Sequence, residues 1–429
     1  MDLNQIRARM ANCPCGQTHE IELEGLEIAH GLLDRVADLL KQYRFPNRVL
    51  MVADVNSFRV TKGLYEQLLG AGFTVELRVY EDTRVADMKA VEELQVLLRR
   101  AGGCLSVGTG SVNDICRLAA YRENKQFAIF ATAPSMDGFA SDSAPITEGN
   151  FKTSYPCRQP RIILADSRIL AESPAELKAA GFGDVLAKYV AIADWRVANL
   201  LHGDYYCERV GQFVRDAVAK MVALADQVPQ KNEDAATAIM EALVLTGLSM
   251  QLAKCTRPAS GTEHIISHYW ECKKLQRGII SDFHGKKVCV ATLIVSRAYH
   301  NLAKLKSVRA HKEHIDWKDV QAHYGEGLID GMMSLNTPDT IVDEIDPRAV
   351  EENWGKIAQI IREEIPTPEK LLALCQAAHA ATTGEDISVD PQLFLDGIKY
   401  HPFMRRRVTV ARILPMIDLD LLRAYQNDL

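Results

Sequence analysis

The chain has 429 residues, of which 47% are hydrophobic and 25% charged, enough for a large core and for two or three domain-sized units. Its net charge of −6 argues against nucleic acid as a partner, because proteins that bind a phosphate backbone usually carry a basic excess. These values exclude a short disordered chain and favour chemistry on a small molecule.

The sequence shows no signal for export or for a membrane partner. The N-terminal residues 1–17 have no apolar central stretch, and an apolar run such as 288–295 is far shorter than the roughly 20 residues that a membrane span needs. The ten cysteines are scattered, which in a long chain favours reduced thiols. We therefore expect a cytoplasmic protein.

The first 170 residues alternate between strand-like and helix-like patterns. Helices are predicted at 60–70, at 86–101 and from 112, and strands at 48–56, 73–80, 104–111, 127–134 and 161–166. Strands that alternate with helices indicate a mostly parallel sheet covered on both faces. We predict a Rossmann-like α/β domain over residues 1–170.

After residue 170 the pattern becomes helical. Long helices are predicted over 184–202, 208–226 and 234–254, and Ser173 and Pro174 end a turn and open a helix at the domain boundary. Residues 171–429 are therefore predicted to be an all-α domain. Its last part, 386–429, is interpreted as a C-terminal extension in which Arg405, Arg406 and Arg407 form a solvated or interfacial cluster.

A glycine-containing turn joins the strand at 104–111 to the following helix. Gly108, Gly110 and Ser111 are typical of a turn in which the backbone approaches a phosphate closely and the helix N-terminus offers free N–H donors. The match to the dinucleotide fingerprint is incomplete, because Asn113 occupies the position of its third glycine. The alternative is an ordinary tight strand-to-helix turn.

Other polar residues follow the predicted strands and are candidates for contacts with a nucleotide. Asp54 ends the first strand, where a carboxylate can bind an adenine ribose or simply cap a helix. The loop 131–144 has a small and hydroxylated composition that suits a nucleotide crevice. From this loop and the helix before it, the candidates are Asp114, Thr132, Ser135, Asp137 and Ser141.

Histidines and a carboxylate in the helical half suggest a metal site. His264 and His268 are spaced to lie on one face of a helix that restarts near Thr262, and His284 follows between two helical segments. Asp184 is predicted to open a helix, where an acidic residue is often only a dipole-compatible cap. Together they suit zinc, nickel or ferrous iron, whereas His311 and His314 lie among charges and are predicted to be surface residues.

A family resemblance combines these motifs. GTGSVND, TAPSMDGFAS, GFGDVLAKY, GTEHIISHYW and FHGKKV occur in an order that resembles polyol dehydrogenases related to iron-containing alcohol dehydrogenases and dehydroquinate synthases. Within that group, TAPSMDG and the EHxxSHxW segment are most similar to glycerol-1-phosphate dehydrogenases, particularly the AraM-like bacterial branch. The resemblance covers roughly residues 45–300.

The resemblance implies a dehydroquinate synthase-like fold with the active site between the two domains. It implies a divalent metal on Asp184, His264 and His284, and NAD or NADP whose diphosphate lies on Gly108, Gly110 and Ser111. Asp54 would bind the adenine ribose, which favours NAD by repelling a 2′-phosphate. Thr132 and Ser141 would line the nicotinamide side, and Asp137 would face substrate and cofactor.

The reaction that the resemblance implies is the interconversion of dihydroxyacetone phosphate and sn-glycerol 1-phosphate. His268 is the candidate proton relay, and Lys152 and Lys188 are candidates for the substrate phosphate, although either can be an ordinary surface or salt-bridged lysine. The alternatives are an unphosphorylated polyol dehydrogenase, a phosphate-eliminating lyase like dehydroquinate synthase, and a catalytically silent scaffold.

Two further expectations concern assembly and a second metal. Relatives imply a homo-oligomer, with a dimer favoured, to which the C-terminal extension can contribute. Cys13, Cys15 and His19 can form part of a second metal site, for which the alternative is an unremarkable surface turn.

Overall fold

The computed structural model describes residues 2–81, 83–148 and 151–429. Within them, eight strands occur: β1 (Gly25–Ala29), β2 (Arg48–Asp54), β3 (Thr74–Tyr80), β4 (Gly103–Gly108), β5 (Gln126–Ala131), β6 (Ser143–Glu148), β7 (Phe151–Pro156) and β8 (Ile162–Asp166). Six of them form one sheet in the order β1-β8-β5-β4-β2-β3, and every neighbouring pair is parallel. The predicted parallel sheet is confirmed.

The strand order creates a crevice between β2 and β4. From β2 the chain moves outwards to β3, then returns to place β4 on the other side of β2. Ligands of open α/β sheets bind outside the carboxyl ends of the strands at such a reversal. Asp54 and Gly108, the last residues of these two strands, therefore flank the expected position of a nucleotide.

Both faces of the sheet are buried. Along β2, Val49 and Met51 pack into one hydrophobic cluster, and Leu50 and Val52 pack into the other. This alternation follows from the strand period of two, and it explains why the strands are apolar throughout. The second of these clusters continues into the helical half of the chain, so the two halves share a core.

Six helices accompany the first strands: α1 (Leu3–Met10), α2 (Val36–Gln42), α3 (Val55–Val60), α4 (Leu64–Gly70), α5 (Met88–Leu98) and α6 (Gly110–Arg122). The single helix predicted at 60–70 is wrong, because a turn with Gly63 at φ 94° separates α3 from α4. Strand β1 and the antiparallel hairpin of β6 and β7 were not predicted. Strand β1 is only partly buried over its last three residues, and β6 mixes buried with partly exposed positions, so neither strand is continuously apolar.

The described residues after 166 contain helices and no strand. The helices are α7 (Ser167–Glu172), α8 (Ala175–Leu186), α9 (Lys188–His202), α10 (Glu208–Val222), α11 (Glu233–Ala253), α12 (Thr262–Gln276), α13 (His284–Leu302), α14 (Trp317–Tyr324), α15 (Ile329–Asn336), α16 (Pro347–Glu364), α17 (Pro368–Ala377), α18 (Pro391–Tyr400), α19 (Val410–Ile413) and α20 (Leu421–Gln426). Short 3-10 segments lie at Leu32–Arg35, Asp137–Ala140, Ala225–Gln227, Ile341–Glu344, Glu385–Ile387, His401–Met404 and Leu414–Ile417. The predicted all-helical second half is confirmed.

Three local predictions in this half are wrong. Residues 168–172 belong to α7 rather than to a turn, although α8 does begin after Pro174. Asp184 lies near the end of α8, not at a helix start, and His284 is the first residue of α13 rather than part of a link between helices. Gly181 and Gly183, which precede the predicted helix start at Asp184, lie within α8.

The two glycines of α8 allow close packing. A Cβ at Gly181 would lie 1.9 Å from the carbonyl oxygen of Pro134, and one at Gly183 would lie 2.5 Å from Cβ of Cys289. Helix α8 can therefore contact the loop after β5 and helix α13 at the same time. This contact brings Asp184 to the edge of the sheet.

The C-terminal segment is an integral part of the helical core. Trp270 of α12 donates to the carbonyl of Leu393, and the backbone N–H of Val410 donates to the buried carboxylate of Asp194. Of the predicted solvated arginines, only Arg406 is exposed, and Arg407 donates to the carbonyl of Ser260 at 2.6 Å. The interpretation as a solvated cluster is wrong for Arg405 and Arg407, because both are partly buried.

Helix α11 combines length with unusual apolarity. Among the described residues it alone is long and apolar enough to cross a membrane by composition, but 83% of its most apolar window is buried inside the protein. A buried core helix has the same composition. Its apolarity therefore reflects its central position in the fold.

Candidate active site

The carboxyl edge of the sheet contains the glycine turn. Gly110 begins helix α6, and a Cβ at this position would lie 3.2 Å from the side chain of Met136, so the turn packs directly against the loop after β5. The N–H of Thr132 donates to the carbonyl of Gly108 at 3.2 Å. The hydroxyl of Ser111 donates to the carbonyl of Arg84 at 3.3 Å. The free N-terminus of α6 thus points to the same edge as the predicted cofactor loop.

Asp54 caps the next helix. Its Oδ1 accepts from the N–H of Ser57 at 2.7 Å, and its Oδ2 accepts from the hydroxyl of Thr83 at 3.2 Å. The capping alternative from the sequence is therefore present, and a ribose would share a carboxylate that already has two donors. The ribose contact stays a prediction.

The loop after β5 places its polar residues at different depths. Thr132, Ser135 and Ser141 are buried, and the hydroxyl of Ser141 pairs with that of Ser143 at 3.1 Å. Asp114, one turn into α6, is also buried and lies 3.5 Å from Arg117. Burial raises the pKa of Asp114 to about 7, although the Arg117 charge opposes that shift.

Three side chains converge as metal donors. Ligand atoms of Asp184, His264 and His284 all lie within 4.8 Å of one another, and His264 Nε2 lies 3.6 Å from Asp184 Oδ1. The rings of the two histidines have centroids 5.3 Å apart. One carboxylate and two imidazoles fit a divalent cation of the zinc, nickel or iron type and leave coordination positions open.

Glu263 orients His264. Its Oε1 accepts from His264 Nδ1 at 2.6 Å and from the N–H of Gly261 at 2.8 Å. Because a carboxylate accepts, Nδ1 carries a proton and Nε2 is left facing Asp184. Burial and Lys188 oppose protonation of His264, but the bonds to Asp184 and Glu263 outweigh them and raise its pKa to about 9. A cation at Nε2 must therefore displace a proton.

Lys188 links the metal donors to the loop after β5. Its ammonium donates to Asp137 Oδ2 at 2.7 Å, to Asp184 Oδ1 at 3.0 Å and to the carbonyl of Ala259 at 2.9 Å. The N–H of Asp137 in turn donates to Asp184 Oδ2 at 3.0 Å. Burial opposes ionisation of Asp184, but the Lys188 charge and the neighbouring histidines hold its pKa well below the usual range. The three donors of Lys188 are all engaged, which favours the salt-bridged alternative over a phosphate contact.

His268 lies beside the donors. Its ring stacks on that of His284 at a centroid distance of 5.8 Å, and within the described chain its buried Nδ1 has no hydrogen-bond partner. Burial and the nearby charge of Arg405 lower the pKa of His268 well below its ordinary value, so the ring is neutral. A buried nitrogen without a partner is costly unless a ligand or water satisfies it. This observation fits a role towards substrate.

Cationic side chains surround Glu271 next to His268. Lys152 donates to Glu271 Oε1 at 2.9 Å, and Lys287 lies 3.5 Å from Oε2. Burial lowers the pKa of Lys287 to about 8, with Lys152 adding to this effect and Glu271 opposing it. Of the two predicted phosphate lysines, Lys152 is therefore part of a positive cluster, and it too is salt-bridged.

Three residues of the site, Glu263, Glu271 and Lys287, were not among the predicted site residues. Glu271 is three residues after His268 on the same helical face, and Lys287 is three residues after His284, so helical spacing from the histidines would have found both. The position of Arg405 near His268 could not be predicted from local spacing, because Arg405 belongs to the C-terminal segment, far from His268 in sequence. The predicted surface residues His311 and His314 are indeed exposed.

The chain is similar to known proteins in sequence and in fold. The family model for iron-containing alcohol dehydrogenases matches residues 27–174. The glycerol-1-phosphate dehydrogenase [NAD(P)+] of Halalkalibacterium halodurans is 33% identical over 71% of this chain and 78% of its own. The protein of the same name from Geobacillus stearothermophilus is 28% identical over 91% of this chain and 92% of its own.

Solved structures share the fold. A probable glycerol dehydrogenase from Sinorhizobium meliloti superposes with a TM-score of 0.62 at 16% identity, covering 94% of this chain and 95% of that one. The NADH-dependent butanol dehydrogenase A from Thermotoga maritima superposes with a TM-score of 0.61 at 13% identity, covering 96% of this chain and 98% of that one. The predicted dehydroquinate synthase-like fold is confirmed.

Proposed function

The chain belongs to the family of NAD(P)-dependent glycerol-1-phosphate dehydrogenases, and from this premise we propose that it interconverts dihydroxyacetone phosphate and sn-glycerol 1-phosphate. The observation that carries the proposal is the position of Asp184, His264 and His284 at the carboxyl edge of the sheet, joined to the cofactor loop through Asp137 and Lys188. A nicotinamide and a metal would meet there.

The proposed cofactor is NAD or NADP, bound across the crevice between β2 and β4. Its diphosphate lies on Gly108, Gly110 and Ser111, where the N-terminus of α6 supplies N–H donors. Asp54 contacts the adenine ribose, and the nicotinamide side is lined by the loop after β5. The residues proposed there are Asp114, Thr132, Ser135 and Ser141.

The proposed metal site consists of Asp184, His264 and His284. A divalent cation held there supplies a Lewis acid that polarises the C2 oxygen of the substrate. Glu263 keeps His264 Nε2 directed at the site, and Lys188 compensates the buried charges of Asp184 and Asp137. These contacts hold the donors in place before substrate arrives.

His268 is proposed to move the proton. Its neutral ring, with an unpartnered buried Nδ1, can exchange a proton with the substrate oxygen directly or through water. Asp137 is proposed to face both substrate and cofactor. It is fixed by Lys188 and by its backbone bond to Asp184.

The substrate phosphate is proposed to approach Lys152, with Lys287 as a second cation of the same cluster. The two lysines flank Glu271, so together they exceed its single negative charge. Lys188, the other lysine predicted for the phosphate, is instead proposed to position Asp137 and Asp184.

Three broader features belong to the same proposal. A nucleotide-binding domain spans residues 1–170 and a metal- and substrate-binding domain spans 171–429. The protein acts in the cytoplasm, as a homodimer, and without nucleic-acid or membrane partners. Size-exclusion chromatography with light scattering tests the dimer.

The experiment that tests the substrate compares turnover of the phosphorylated ketone with turnover of the same ketone without phosphate. We expect NAD(P)H oxidation with dihydroxyacetone phosphate and little with dihydroxyacetone, and we expect Lys152→Ala to raise the KM for the phosphate about tenfold while kcat changes less. The exposed Lys41→Ala is the matched control. Preference for glycerol would indicate the polyol alternative, and phosphate release without net NADH change would indicate the lyase.

A further inference from the structure

A second group of metal-binding side chains lies outside the active site. Cys13, Cys15 and His19 belong to the segment after α1, and Cys207 immediately precedes α10. Although Cys13 and Cys207 are 194 residues apart in sequence, one ligand atom of each of the four residues lies within 4.8 Å of all the others. The alternative of an unremarkable surface turn at residues 13–16 does not account for the position of Cys207 beside Cys13.

The distances within this cluster match a shared tetrahedral ion. Cys13 Sγ lies 3.5 Å from Cys207 Sγ, and His19 Nε2 lies 3.3 Å from Cys15 Sγ and 3.6 Å from Cys207 Sγ. Around one zinc ion, tetrahedral angles and ordinary bond lengths place two sulfurs about 3.8 Å apart and a sulfur and a nitrogen about 3.6 Å apart. A disulfide would need a sulfur separation of about 2.0 Å.

The surroundings of His19 and Cys15 prepare them as ligands. His19 Nδ1 lies 2.7 Å from the carbonyl oxygen of Leu252. Because a carbonyl only accepts, Nδ1 carries the proton and Nε2 presents its lone pair to the sulfurs, as in established metal sites. The hydroxyl of Tyr205 donates to Cys15 Sγ at 3.2 Å, which stabilises a thiolate.

We propose that Cys13, Cys15, His19 and Cys207 bind one structural zinc ion. Three thiolates and one imidazole complete a tetrahedral shell and leave no position for substrate, which distinguishes this site from the carboxylate–histidine site. Soft thiolates select zinc among divalent cations. The ion fastens residues 2–20 to the helical half.

Other contacts along this segment support the fastening role. Arg209 of α10 donates to the carbonyls of Arg9, Ala11 and Asn12, and Arg9 pairs with Asp216 at 3.0 Å. These bonds position the backbone next to α10 but are solvent-exposed and therefore weak. Leu3, Ile6 and Met10 also bury their side chains in the core, and the zinc ion adds a coordinated link to these contacts.

Metal analysis of purified protein separates the two sites. We expect the wild type to hold one thiolate-bound zinc per chain in addition to the active-site metal, measured by mass spectrometry of metal content. Cys207→Ser should lose the thiolate-bound ion, whereas His264→Ala should keep it. Cys157→Ser, a half-buried cysteine outside the cluster, is the matched control and should retain both ions.

Spectroscopy on the unmutated protein makes the test independent of folding in the variants. After replacement of zinc by cobalt, we expect intense thiolate-to-cobalt charge-transfer absorption, which nitrogen and oxygen ligands of the active site do not give. The absence of that absorption in cobalt-loaded wild type would overturn the proposal. Peptide mapping that finds a Cys13–Cys207 disulfide in protein purified without oxidant would overturn it as well.

Discussion

Glu263 decides the tautomer of His264. The carboxylate is fully buried and holds both the imidazole Nδ1 and the N–H of Gly261 at the start of α12. It therefore fixes the ring orientation and the register of the helix start together. Hydrogen-bond partners of a histidine that binds metal typically change the metal affinity by about 10- to 100-fold when they are replaced.

Replacing Glu263 by Gln should weaken metal binding. The amide can still accept one hydrogen bond but lacks the negative charge that makes the imidazole a more basic ligand through Nε2, so we expect affinity for zinc or nickel to fall about 10- to 100-fold. Competition with a chromophoric chelator measures the change, with the exposed Glu172→Gln as control. Equal affinities for both variants would contradict the orienting role.

At the scale of secondary structure, helix α8 depends on two glycines. Gly181 packs against the carbonyl of Pro134 and Gly183 against α13, and this double contact places Asp184 at the proposed metal site. Glycine lowers helix stability by roughly 1 kcal/mol relative to alanine, so close packing must compensate for it.

Alanine usually stabilises a helix relative to glycine, but at position 181 we expect it to destabilise the protein. Gly181→Ala would place a Cβ 1.9 Å from a backbone oxygen, and we expect a loss of about 3 kcal/mol or more, within the range of severe overpacking. Gly355→Ala in α16 meets no atom within 4 Å and should stabilise by up to about 1 kcal/mol. Urea unfolding compares the two, and similar changes for both would refute the packing argument.

His202 joins the end of α9 to the C-terminal region. Its Nδ1 contacts Asp204 at 2.5 Å and its Nε2 contacts Glu344 at 3.0 Å. These hydrogen bonds raise the pKa of His202 above its ordinary value of 6.5. The charged ring is therefore favoured in the folded state.

This shift predicts a pH-dependent contribution to stability. Because the pKa of His202 is higher in the folded state, protonation of this ring stabilises the fold. The stabilisation is fully present below the unfolded pKa near 6.5 and is lost as pH rises through the higher folded pKa. His202→Gln should lower stability at pH 5.5, by less than about 1 kcal/mol for this partly exposed pair, and have little effect at pH 9. Thermal unfolding at both pH values tests this, with the exposed His314→Gln as control, and a loss that is independent of pH would contradict it.

At the scale of the whole molecule, the sequence predicted the architecture well. Continuous apolar strands alternating with helices specify a parallel sheet, and the i,i+4 spacing of His264 and His268 specifies a shared helical face. The residues themselves suggested a group of Asp184 with the histidines, and the family resemblance selected His264 and His284 as its ligands. The structure brings the ligand atoms of these three residues together.

The features that sequence patterns missed depend on tertiary contacts. Local patterns did not place Gly181 and Gly183 inside a helix, because their packing partners lie in a distant loop and in α13. Cys207 could not be assigned to the cysteine cluster, and Arg407 could not be placed beside Ser260, because in each case the partner is more than 140 residues away. Local periodicity carries no information about such pairs.

The measurement that tests the central claim most directly is turnover by metal-stripped protein after zinc, nickel or ferrous iron is added back separately. With dihydroxyacetone phosphate and NADH or NADPH, we expect metal-dependent oxidation of the cofactor that yields sn-glycerol 1-phosphate, reduced at least 100-fold in His264→Ala. Product identification by an enantiomer-specific assay completes the test. Full activity without metal, or no oxidation with any metal, would contradict the account.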